Sequence, residues 1–186
     1  WDCYGVDVDQ SNAKQLFEKK IKVSDKFEKL NFKKNKLDYI YSYHAFEHIY
    51  DIESAFHHSY NLLADDGTFK LCVPMSDGLL PKFFKKYWYD LGIPIHKQIY
   101  SYKGVVALAK RHGFEVSSYK YNSYSESLVG SVTATIIGFL KYKKHSAQDF
   151  SSKRFFKLIC LIVSPIVLLL DFFKLGDRAE FELIKK

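Results

Sequence analysis

Cysteine is scarce in this sequence: Cys3, Cys72 and Cys160 are an odd number, and no C-x-x-C spacing occurs. That excludes a disulfide framework and a cysteine-rich zinc module, and it fits a reducing cytoplasm. No secretory signal opens the chain, and position 1 is Trp rather than Met, so a fragment of a longer protein is expected. Internal repeats and low-complexity stretches are lacking as well, which excludes a repeat array and wholesale disorder. Acidic residues number 21 against 28 Lys plus Arg, a net charge of +7. Such an excess favours an anionic partner, whether phosphorylated substrate, acidic lipid or nucleic acid, although a Lys-rich composition alone also explains it. At 186 residues there is room for one domain with a sizeable core and not for two ordinary ones.

What is present is an alternation of short apolar strands and amphipathic helices. Trp1 to Asp7 reads as a strand ending in an acidic residue, followed by a helix from about Gln10 to Lys20; Ile21–Val23 and Leu37–Ser42 read as further strands. Ile52, Ala55, Phe56, Tyr60 and Leu63 recur at helical spacing. The Asp65-Asp66-Gly67 run predicts a turn, and Thr68–Pro74 a strand that proline stops. Tyr102–His112 reads as a helix closed by Gly113, and Phe114–Tyr121 as the next strand. Alternation in Arg178–Ile184 predicts a last, half-exposed strand. This order indicates an α/β domain with a mostly parallel sheet.

The densest local signal is Leu37-Asp38-Tyr39-Ile40 followed by Ala45-Phe46-Glu47-His48-Ile49-Tyr50-Asp51. Taken alone, Glu47 is a local cap or ion-pair partner and His48 a surface residue. Three further segments follow in order: Asn61 to Phe69, then Pro94, His96 and Tyr100, then Lys110 to Glu115. Together they resemble the "FD-I … LEH-D", "LLKPGG-L", "P-H---(Y/F)S" and "AGFE" segments of class I S-adenosylmethionine-dependent methyltransferases, over about residues 1 to 122 plus the terminal strand. The kind most resembled acts on sugars and surface glycans.

That resemblance implies a Rossmann-like class I methyltransferase sheet whose first strand is absent from this chain. A C-terminal helical hairpin would be inserted before a final antiparallel strand. The implied division is a truncated core over 1–123, a hydrophobic hairpin over 124–174, and a terminal strand over 175–186 that returns to the sheet. With S-adenosyl-L-methionine as cofactor, Asp7 would hold the ribose diol with Val8 beside it, Asp25 would meet the adenine amino group, and His44, Ala45 and Phe46 would line the carboxyl edge where open α/β sheets bind ligands. The family's glycine-rich loop has no counterpart, since no G-x-G occurs in the chain. Methyl transfer to a hydroxyl calls for a base; His96 is the first candidate, with His48 behind it. No metal-ligand cluster, acidic triad or nucleophile elbow stands out.

Phe155–Phe173 contains only Lys157 and Asp171 as charged residues, and Lys141, Lys143, Lys144, Lys153 and Arg154 precede it. At 19 positions the run approaches the length that crosses a bilayer. A hairpin half-buried in an anionic membrane through residues 129–173 is the favoured reading, with a spanning helix, or a buried helix pair or homodimer contact, as alternatives. The expected enzyme is therefore cytoplasmic and peripheral on the inner membrane face, with a sugar or lipid-linked sugar acceptor. Its rivals are a non-catalytic remnant or scaffold without cofactor binding, and a nucleic-acid methyltransferase. The latter is disfavoured because no Asn-Pro-Pro-Tyr or Pro-Cys element for a flipped base is present, so no nucleic-acid partner is expected.

Overall fold

A computed structural model of the chain describes residues 2–6, 22–24, 37–139 and 154–186. Two short strands, β1 (Tyr4–Val6) and β2 (Lys22–Ser24), pair in parallel as a sheet of their own. The main sheet has the order β3-β4-β6-β5, from β3 (Leu37–Tyr43), β4 (Leu63–Pro74), β5 (Phe114–Tyr121) and β6 (Arg178–Lys185). β3 and β4 are parallel, and β6 runs antiparallel to both of its neighbours. This is the Rossmann-like sheet with a returning antiparallel strand that the sequence suggested. Among the described residues, the outer edge of β3 has no partner.

Among the described residues five helices accompany the strands: α1 (Ile52–Leu62), α2 (Leu79–Phe84), α3 (Tyr102–Arg111), α4 (Ser125–Phe139) and α5 (Arg154–Phe172). α1 begins at Asp51, whose carboxylate accepts from the Ser54 backbone N–H at 3.0 Å and so satisfies a donor the helix leaves open. α3 begins likewise at Ser101 and ends before Gly113, whose φ of +81° needs a residue without Cβ. Both helices lay an apolar face on one side of the sheet. There Phe56, Phe69, Phe114 and Phe181 are fully buried, with Phe56 and Phe69 ring centroids 5.7 Å apart. Burying each such ring stabilises the fold by about 2–3 kcal/mol.

Two expectations change. The turn at Asp65–Gly67 does not separate helix from strand: β4 starts at Leu63, which pairs with Leu37, and the next pairing is Tyr39 with Thr68. Four residues of β4, 64–67, thus stand against Asp38 of β3, and the polar run is absorbed as an irregularity in the ladder because Leu63 is fully buried and fixes the strand's start. The terminal strand is central rather than half-exposed. Arg178 to Phe181 are all buried, and the sheet tolerates Glu180 because Lys70 and Lys120 reach it at 3.3 and 3.1 Å. The loop before α3, unresolved by periodicity, contains α2 and two 3₁₀ turns, Lys85–Tyr87 and Tyr89–Leu91.

Candidate active site

The carboxyl end of β3 turns sharply at His44, which holds φ +49°, and leads into a 3₁₀ turn over Phe46–His48. Ala45 is exposed there and His44 half-buried, so this strand end offers open backbone for a ligand lying along the sheet edge. Phe46 plays a different part: its ring is buried between Phe56 and Phe69, 5.5 and 5.4 Å away, and it anchors the turn in the core. Asp7, Val8 and Asp25 lie outside the described residues.

Glu47 is buried at 1% exposure and accepts from His44 Nδ1 through Oε1 at 3.0 Å. His44 Nε2 in turn faces Cys72 Sγ at 3.9 Å. Glu, His and Cys in this order resemble a nucleophile triad, but burial, reinforced by Glu180, pushes the Cys72 thiol up to about 12. The thiol therefore stays protonated and donates, and no nucleophile is made. Tyr100, also buried, donates from its hydroxyl to the Phe46 carbonyl at 3.1 Å; burial and then Glu47 push its pKa up, so it too stays a donor.

The segment carrying His96 is strapped onto this turn. The backbone N–H groups of Lys97 and Gln98 both donate to the Glu47 carbonyl, at 2.7 and 3.1 Å. His96 itself is fixed from three sides. Its backbone N–H donates to the Gly92 carbonyl at 3.0 Å, its Nδ1 lies 2.8 Å from the Asp90 carbonyl, and its ring meets His48 edge-on at 4.9 Å. A carbonyl can only accept, so Nδ1 carries the proton and Nε2 of the neutral ring is left with a free lone pair. Gly92, at φ +58°, has no Cβ for a reason: one added there would meet the His96 ring at 2.5 Å. His48 Nδ1 has a longer contact, 3.4 Å to the Ile95 carbonyl.

Asp90 is held by a buried ion pair. Arg178 Nε and Nη2 donate to its two carboxylate oxygens at 2.8 and 2.7 Å, and the guanidinium lies 4.3 Å over the Tyr124 ring. Next to it the Asp177 carboxylate accepts from Trp88 Nε1 at 2.8 Å and from Ser127. Burial, and then Asp90, raise the Asp177 pKa. This network ties the first residues of β6 to the loop that presents His96 and to α4.

His48 and His96 open onto a cleft of about 400 Å³, lined also by Lys86, Tyr87 and Tyr89, with Ala134 of α4 as one wall. α4 and α5 pack on each other through Val129, Phe156 and Cys160, while Leu158, Leu161, Ile162, Leu168, Leu169 and Phe172 of α5 remain exposed. α5 is long and apolar enough to cross a membrane, and little of it is buried. The structure thus brings together the two histidines read from the sequence, and places His44 and Ala45 beside them at the turn. The Asp90–Arg178 support had no signal in the sequence, because its residues are 88 positions apart.

Over residues 1–119 the sequence matches the methyltransferase-domain family. Among solved structures, a S-adenosylmethionine-dependent methyltransferase from Thermotoga maritima superposes with a TM-score of 0.60 at 14% identity, covering 99% of this chain and 73% of that one. One from Archaeoglobus fulgidus gives 0.58 at 19% identity, covering 98% and 75%. An O-methyltransferase of a Brevibacillus brevis polyketide synthase, in complex with S-adenosylhomocysteine, gives 0.52 at 13%, covering 98% and 58%. No curated protein matches the sequence.

Proposed function

The chain belongs to the class I S-adenosylmethionine-dependent methyltransferase family, and on that premise we propose that it O-methylates a sugar or lipid-linked glycan at the cytoplasmic face of a membrane. It is an enzyme with S-adenosylmethionine as cofactor. Bound to such a fold, this cofactor supplies a methyl group on a sulfonium, ready for in-line displacement. Of the described residues, His44 and Ala45 fit its cradle, since the left-handed backbone at His44 leaves Ala45 open at the sheet edge.

One observation supports the hydroxyl acceptor above others: the Asp90 carbonyl takes up His96 Nδ1 and leaves Nε2 as the ring atom available to a cleft whose other walls are aromatic and basic. The acceptor hydroxyl sits against this atom with His48 beside it, and becomes nucleophilic there by losing its proton. The cofactor, held at His44 and Ala45, would supply the methyl carbon to that oxygen. Tyr87 and Tyr89 offer flat faces for the C–H side of a sugar ring, and Lys86 offers a charge for a phosphate linking sugar to lipid.

The membrane setting draws on the hairpin. α4 walls the cleft through Ala134 while α5 turns Leu161, Ile162, Leu168 and Phe172 to solvent. On α2 and the turn after it, Phe83 is 76% exposed beside exposed Lys82, Lys85 and Lys86. An apolar face with a basic rim suits an anionic bilayer. The test is transfer of labelled methyl groups to a lipid-linked glycan fraction, to water-soluble sugars, to amines and to nucleic acid. Labelling of the glycan is expected; labelling of amines or nucleic acid alone would overturn the acceptor class.

A further inference from the structure

The geometry points to a binding site for one first-row divalent cation, held by His48 and His96 of the cleft wall and by Glu47 buried behind them. This rests on the proposed function and deepens it: with the cation bound the His96 lone pair is a metal bond, so the cation, and not the imidazole as base, makes the acceptor hydroxyl lose its proton. The three residues each offer a ligand atom, and these atoms all lie within 4.8 Å of one another. Around a cation with bonds of about 2.1 Å, neighbouring ligands sit roughly 3.4 Å apart, so closure requires only a small swing of exposed His48.

Independent of that convergence, Glu47 carries an unexplained group. Its side chain is 1% exposed, and while Oε1 is taken by His44, Oε2 is buried with no hydrogen-bond partner. A carboxylate oxygen left so is costly, and a cation is what such an oxygen best receives. The histidines are oriented for the same task. His96 Nδ1 is occupied by the Asp90 carbonyl and His48 Nδ1 approaches the Ile95 carbonyl. A ring whose Nδ1 is engaged by a carbonyl directs Nε2 to a metal, and Glu47 is itself steadied by His44. Two imidazoles and one carboxylate select a first-row transition cation over magnesium or calcium and leave coordination positions open. Those positions face the cleft. A hydroxyl oxygen taking one is acidified, gives its proton to solvent water, and attacks the methyl carbon as the carbon–sulfur bond breaks.

The experiment is calorimetric titration of the full chain, stripped with chelator, with ZnCl₂, MnCl₂ and MgCl₂, with thermal unfolding in parallel. Expected are one Zn²⁺ or Mn²⁺ per chain, a preference over Mg²⁺, and a rise in Tm of about 5–10 °C at a hundredfold excess over Kd. His48→Ala, His96→Ala and Glu47→Gln should each weaken binding at least tenfold, while His57→Ala on the far side of α1 should not. His48 is exposed, so its variant keeps the test decisive should a buried substitution impair folding. Absent binding, or binding that survives the three substitutions or is lost with His57, would overturn the site. Cofactor binding and methyl-acceptor identity are read separately, so a failed cation site and a failed acceptor assignment give different results.

Discussion

Removing one partner of the Asp90–Arg178 pair should be among the most damaging single changes in the molecule. Both side chains are under a tenth exposed, and the guanidinium meets the carboxylate with two parallel bonds of 2.8 and 2.7 Å. Asp90→Ala strands a buried guanidinium; Arg178→Met strands Asp90 close to the buried Asp177 carboxylate. Breaking a buried pair from one side costs about 3–5 kcal/mol, a large part of the 5–15 kcal/mol that holds a domain together. With a urea slope of about 2 kcal/mol/M, each single variant should lose roughly 1.5–2.5 M in midpoint. Replacing both at once, Asp90→Leu with Arg178→Met, removes the charges together and should cost less than either single change. Urea unfolding followed by tryptophan fluorescence measures all three, since Trp88 donates into the same network. Single variants that shift the midpoint by under about 0.5 M, or a double variant whose loss is the sum of the singles, would refute the reasoning.

Other expectations follow from the site and the hairpin. His96→Ala should cut methyl transfer by about 10²–10⁴-fold with cofactor affinity within twofold, as steady-state kinetics and calorimetry would report. Because the Asp177 carboxyl is raised in the folded state, its folded form favours the proton; its contribution is present below an ordinary carboxylate's value near 4 and is lost as pH rises through the raised one. Asp177→Asn, which keeps an oxygen for Trp88 and Ser127, should therefore match the parent at low pH and exceed its stability at pH 7.5, as urea unfolding at the two pH values would show. Leu161→Glu with Leu168→Glu, both on the exposed face of α5, should lower sedimentation with anionic vesicles more than tenfold and leave the Tm within about 3 °C. Asp7→Ala should weaken cofactor binding; unchanged affinity would remove Asp7 from the site.

Where structure follows local sequence, it was legible. α3 and β5 fall where Ser101 and Gly113 punctuate the chain, because a cap and a left-handed residue act within a few positions. The helical hairpin is likewise written in composition, as two apolar runs separated by a basic stretch. β6 was legible as a strand and misread in burial, since alternation assumes one wet face. Its Glu180 is buried by strands on both sides and paired with lysines 60 and 110 positions away. Pairing of that range leaves no periodic trace.

The site divides along the same line. His48 and His96 could be named because each sits in a recognisable segment, but what makes His96 chemically useful lies elsewhere. Its ring is aimed by the carbonyl of Asp90, Asp90 is held by Arg178 on the returning strand, and the segment is pinned to Glu47 through Lys97 and Gln98. Glu47 could be read locally as an ion-pair partner, and it is one, toward His44. That its second oxygen is buried without a donor, and that the carboxylate converges with histidines one and 49 positions on, are properties of the closed fold alone. The order of dependence is thus sheet, returning strand, loop, histidine, and a change at Arg178 should reach His96 through backbone that never contacts substrate. Methyl transfer by Asp90→Leu/Arg178→Met is the sharper measure of this than its stability: a well-folded double variant with unimpaired turnover would mean that Gly92 and His48 suffice to hold the ring.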